Sequence, residues 1–329
     1  MNPQLQERLV MYGGVIPGAV SLVLLLAAWY LHALKRSRAD HFEVGDRGFD
    51  EEEFDEEQGE RSVSDGPRWV LPMLLAGGFA GADFAANDVF HLWPDGNNYR
   101  FIHAIVLIAL VGVVEGLVRL PMLVGFVLRV LGFGGAFWML GEGYVGSVFA
   151  DSSMFVGSAI FAAFAGAFVA TAADRTSEET PAWVDAITWL IIAGASMPIF
   201  LQNHFSTGAM IPAGIIAVLV STLIVGLIFR YLRLSGGGVT VLVGFMLTML
   251  VGSMIQTGVV NLSAVLLLAL SPMVLLVRGR SKSSFGLLMM RVVMLALVLG
   301  SSGGLMAYGG DADAGVDEVD PHGEYEPGA

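Results

Sequence analysis

Apolar runs of roughly twenty residues recur along most of this chain, separated by short polar, glycine or proline breaks. A helix rises about 1.5 Å per residue, so each run is long enough to cross the ~30 Å hydrocarbon core of a bilayer. The runs fall at about 13–34, 69–87, 101–118, 121–140, 154–173, 183–201, 210–229, 239–258, 262–277 and 285–306. The pattern predicts an all-α integral membrane protein, a polytopic bundle of about ten transmembrane helices.

Breaks between the runs carry recognisable punctuation. Pro72 sits in the first turn of the second helix, where a proline is tolerated. The third helix ends at Arg119 and Pro121 opens the fourth, which predicts a tight hairpin. Leu120-Pro121-Met122-Leu123 also echoes Leu71-Pro72-Met73-Leu74, two similar helix starts. The fifth helix is made of small residues, with Gly157, Ala162, Gly166 and Ala170 spaced for close helix contact. DRTSEETP reads as a short loop after it, and Pro198 as a break or kink in the sixth. Interrupted helices point toward transport sites; the other candidates are Gly132–Gly135 and Ser301–Gly304.

Charge patterning orients the bundle. With ten helices, thirteen of the 17 Lys and Arg fall on one side, two on the other (Arg8 and Arg100), and Arg129 and Arg291 in the membrane. Basic loops stay cytoplasmic, so the expected topology is N-out/C-out. The domain plan is a short external N-terminus (1–12), a first transmembrane helix (13–34), an acidic disordered cytoplasmic linker (35–67), a bundle of about nine helices (68–307) and an acidic disordered C-terminal tail (308–329). The first helix has its basic residues after its apolar core, the reverse of a signal peptide, so it reads as retained.

Composition agrees and removes whole function classes. Hydrophobic residues make up 55% and charged residues 14%, with a mean hydropathy of +0.70; soluble domains average about 25% charged. No cysteine is present, which excludes disulfides, thiolate metal sites and thiol nucleophiles. The net charge of −13 is local. Eleven acids lie between Asp40 and Glu60 and seven between Asp311 and Glu326, leaving the remainder slightly basic. No basic patch supports nucleic-acid binding. The acidic linker, with Phe42, Phe49 and Phe54 spaced through it, is either a solvated spacer or a docking motif for a protein partner at 40–60.

Chemistry concentrates in three intramembrane charges: Asp83, Glu115 and Arg129. An arginine near mid-membrane must be paired or wetted. Side chains of the fourth helix lean toward its start, so Arg129 is expected to reach Glu115 more readily than Asp83. Arg119 would snorkel to the interface, as would Arg291. The cluster is either a structural lock for the hairpin or an anion or proton site. A second, outer-side polar grouping holds Asp88, His91, His103 and Glu142, with Asn87, Asp95, Asp151 and His204 nearby. It offers metal-ligand and proton-relay residue types, yet no diagnostic ligand spacing, so no metal or other cofactor is assigned. Neither H-E-x-x-H, nor G-x-S-x-G, nor a phosphate-binding loop occurs, so no catalytic residue is assigned and an enzyme is not expected.

Two function classes remain. A transporter or permease for a small solute or ion predicts a polar cavity reaching Arg129. A non-transporting scaffold or sensor subunit of a membrane assembly predicts a dry interior. In either case the protein resides in the plasma membrane, or the inner membrane of a two-membrane cell, in contact with lipid.

Overall fold

The computed structural model describes residues 7, 10–46, 66–87, 100–118, 120–202, 211–229, 232–257, 270–277 and 283–313. Nine α-helices lie among them: α1 (Ile16–Asp46), α2 (Val70–Asn87), α3 (Arg100–Leu117), α4 (Met122–Gly141), α5 (Ser152–Glu179), α6 (Ala182–Gln202), α7 (Pro212–Ile228), α8 (Gly238–Thr257) and α9 (Ser284–Asp313). A π-turn at Met11–Val15 leads into α1, and short 3₁₀ turns occupy Glu142–Tyr144 and Ser271–Leu276. Among the described residues no strand forms, only an isolated bridge between Val145 and Phe149.

Among the described residues six stretches are long and apolar enough to cross a membrane: Met11–Lys35, Arg100–Leu117, Met122–Tyr144, Ser152–Glu179, Gly238–Ile255 and Ser284–Ser301. Val70–Ala85, Ala182–Pro198 and Pro212–Ile228 are shorter apolar helices. The chain is thus an all-α membrane protein. Most of the expected run at 262–277 lies outside the described residues, and its described end is the 3₁₀ turn at Ser271–Leu276.

α8 is the axis of the bundle and packs on α2, α3, α4 and α5. Its apolar window is 83% buried, against 17% for those of α1 and α9. That contrast separates two helices of similar hydropathy: one apolar on all sides because protein surrounds it, the other because lipid does. Leu123, Leu131, Phe161 and Phe168 are exposed on α4 and α5 and present an apolar surface suited to acyl chains.

Two crossings need glycine. A Cβ on Gly214 of α7 would sit 1.9 Å from the Gly78 carbonyl oxygen of α2. At Gly237, just before α8, a Cβ would sit 1.9 Å from the Gly112 oxygen of α3, and the backbone there has φ +104°. Only glycine accepts both the approach and the conformation.

Several expected boundaries move. α1 continues to Asp46 through the start of the acidic linker, because nothing from Leu34 to Asp46 breaks a helix: there is no proline and only Gly45. The linker's remainder, 47–65, lies outside the described residues. DRTSEETP is not a loop. α5 runs on to Glu179 and stops at Thr180, whose ψ of 134° is the extended conformation that Pro181 imposes on its predecessor. α9 likewise extends to Asp313, into the segment expected to be a disordered tail. The glycines at Gly132–Gly135 do not interrupt α4. They let it approach Val111 and Leu107 of α3 and Ala163 of α5. α9 is also continuous through Ser301–Gly304. Pro198 lies inside α6.

Candidate functional site

The α3–α4 hairpin sets the site. α3 ends at Leu117, Pro121 caps α4 with extended backbone, and α4 begins at Met122. The tight turn lays Glu115 beside Arg129, fourteen residues on. Arg129 is 5% exposed. Its Nε donates to Glu115 Oε1 at 2.7 Å and its Nη2 to Glu115 Oε2 at 3.1 Å. This is the two-pronged guanidinium–carboxylate geometry that gives both strength and direction. The preference for Glu115 follows from the lean of α4 side chains toward the helix start.

Two more helices complete the network. Thr171 and Asp174 are three apart on α5 and therefore share a face. Arg129 Nη1 donates to Thr171 Oγ1 at 3.0 Å, and Nη2 to Asp174 Oδ2 at 2.7 Å. The turn before α8 and the first turn of α8 itself supply the rest. Gly236, at φ +76°, aims its N–H at Asp174 Oδ1 (2.8 Å), and Thr240 Oγ1 donates to Glu115 Oε2 (2.7 Å). All four carboxylate oxygens therefore accept a hydrogen bond. Two carboxylates and one guanidinium leave one formal negative charge. The N-terminus of α8 faces it with a partial positive charge of about half a unit.

This network forms one wall of a half-enclosed cavity of about 520 Å³. Arg68, Arg175 and Glu178 add polar groups, while Leu117, Leu120, Met122 and Phe126 make an apolar side. Arg68 and Glu178 approach to 4.0 Å on the partly exposed rim. Gly125 opens directly onto the space: a Cβ there would meet only Glu115 Oε1, at 3.8 Å. The cavity lies where the α3–α4 turn, the last turns of α5 and the turn before α8 meet. Water can reach the surroundings of Arg129, whose guanidinium spends four of its five N–H donors inside the network.

Asp83 lies thirteen residues along α2 from Val70 and does not line the cavity. Arg119 lies outside the described residues.

Arg291 overturns the expectation of snorkelling. It is fully buried in α9, and its Nη1 donates to Asp185 Oδ1 at 2.5 Å, with Nη2 on the Leu275 carbonyl oxygen at 3.2 Å. Asp185, in the first turn of α6, supplies a fully buried partner for it.

The outer-side grouping is only partly described. Asp88, His91, Asp95 and His204 lie outside the described residues. His103 is half-buried in the first turn of α3. Glu142 is exposed and stands 3.9 Å from Arg100. Asp151 is the N-cap of α5. Its carboxylate accepts from the Met154 N–H and the Ser153 hydroxyl, which hold its pKa below the ordinary value. Among the described residues no group of three His, Asp or Glu side chains could hold a metal ion.

No family model, curated protein or solved structure matches the chain. What it is rests on its own architecture: a helical membrane protein with a charged network walling a polar cavity.

Proposed function

We propose that the chain is a permease for a small polar solute or ion, and that the Glu115–Arg129–Asp174 network closes the inner end of its path. The observation that carries this reading is the cavity of about 520 Å³ at Arg129. A scaffold has no need of a polar hollow beside a buried charge cluster. Ligand sites of this kind measure about 300–1,000 Å³ and combine apolar walls with a few polar groups. Ion-pair networks between helices are discrete locks that can open and close, and they suit a gate better than a passage. In this reading the ten apolar runs all cross the membrane, N-out/C-out, and the arginine-rich mouth of the cavity faces the cytoplasm. The protein sits in the plasma or inner membrane and performs no covalent chemistry.

The test is flux in proteoliposomes, followed by light scattering across a panel of small polar solutes. Gly125→Phe fills the cavity from its open wall and leaves the ion network untouched. The wild type should pass a subset of solutes that the variant excludes while remaining folded. If neither protein passes any solute and deletion of 47–65 abolishes capture of a partner, the chain is a scaffold.

A further inference from the structure

A second buried charge site lies outside the cavity, where the end of α5, the start of α6, the 3₁₀ turn at Ser271–Leu276 and α9 meet. Asp185 and Arg291 are both 0% exposed there, yet their pairing is incomplete. Among the described residues only Asp185 Oδ1 has a hydrogen-bond donor, and Oδ2 has no partner of good geometry. Arg291 uses Nη1 and Nη2 but leaves Nε–H without an acceptor. The Ser177 hydroxyl lies beside Asp185 and interacts with its carboxyl group, but it makes no hydrogen bond of good geometry. Trp189, one turn beyond Asp185 on α6, is also buried with its indole N–H unpartnered.

We propose that this knot is an internal hydration site, in which ordered water bridges Arg291 Nε, Asp185 Oδ2 and the Ser177 hydroxyl. Buried polar groups are almost always satisfied, and a buried water typically makes about three hydrogen bonds. The three atoms supply a donor, an acceptor and a hydroxyl that is either. A metal cation is disfavoured by the adjacent guanidinium, and an acyl chain would leave every one of these atoms unpaired. The contrast with the cavity network is sharp, for there all four carboxylate oxygens are already bonded.

Asp174 lines the cavity and Ser177 follows three residues later on α5, about 4.5 Å along the helix axis, so one helical turn separates the open cavity from the closed knot. The site stands on its geometry whether or not the chain moves a solute.

The test uses the full chain in lipid nanodiscs, imaged by cryo-electron microscopy at a resolution that shows ordered water elsewhere in the protein. A water peak within hydrogen-bond distance of Arg291 Nε and Asp185 Oδ2 is expected. An empty knot, or one closed by direct bonds among these side chains, overturns the proposal. Ser177→Ala provides an independent sign. Loss of a water-bridged hydroxyl lowers Tm. In a dry knot the same change removes an unsatisfied group and raises Tm, and that result also overturns the proposal.

Discussion

Replacing Arg129 by methionine keeps the unbranched apolar stem of the side chain and removes the charged head. Glu115 and Asp174 then face each other across the gap as two buried carboxylates, with only the α8 N-terminus, Gly236 N–H and Thr240 hydroxyl to hold them. Breaking a buried ion pair from one side costs about 3–5 kcal/mol, because an uncompensated charge is left behind. Glu115→Gln is milder. It leaves Arg129 paired to Asp174 and brings the network to formal neutrality, so only the charge-assisted bonds are lost, about 1.5–3 kcal/mol. The double variant Arg129→Met/Glu115→Gln loses their shared interaction once and removes the repulsion. It should therefore be no less stable than Arg129→Met alone, far from the sum of the two single effects. Residues in one network commonly couple by about 0.5–3 kcal/mol, and this network belongs at the upper end. Unfolding of the purified proteins in mixed micelles, followed by helical signal against added SDS, reads these differences. Additive single effects, or an Arg129→Met cost below about 1 kcal/mol, would refute the claim that the network is one coupled unit.

Other consequences are as specific. Gly237→Ala places a Cβ against the Gly112 oxygen in a left-handed turn, and Gly214→Ala does the same at Gly78, so each should cost at least the ~1–3 kcal/mol typical of overpacking, measured in the same micelle titration. Arg291→Met strands Asp185 in a buried site and should destabilise by about 3–5 kcal/mol, whereas an arginine that snorkelled would be nearly silent. Asp151→Ala removes the α5 N-cap and should lower Tm at neutral pH. The Asp151 carboxyl is depressed in the folded state, so its contribution is complete above its ordinary value of 3.8 and is lost as pH falls through the lowered one. A Tm difference between wild type and variant that persists unchanged into strong acid would contradict that assignment.

The hairpin was legible in the sequence because its causes are local. Pro121 fixes where α4 starts, and fourteen residues separate Glu115 from Arg129, so a turn and a side-chain lean suffice to pair them. Asp174, Gly236 and Thr240 were not legible. They lie 45, 107 and 111 residues beyond Arg129, and their meeting depends on which helices become neighbours. Membrane helices with apolar residues on every side carry little periodic signal of that choice. α5 was also cut short in the reading, because DRTSEE looked like a loop by charge alone. Charge does not end a helix, and Pro181 does. The same gap hid Asp185, four residues past that proline and 106 before its partner Arg291. Small residues were informative only in part: Gly166 meets the Phe133 ring and Ala163 meets Gly134, while Gly157 has nothing within 4 Å.

The absence of native cysteine makes the central claim directly measurable. Gly125→Cys puts a thiol into the cavity beside Glu115 with no steric penalty. In sealed membrane vesicles of known orientation, a membrane-impermeant methanethiosulfonate reagent should label Cys introduced at this position from the cytoplasmic face, and pre-treatment from the opposite face should not block it. A thiol that reacts from neither face, or only from the outer one, would contradict a water-filled path leading from the cytoplasm to Arg129.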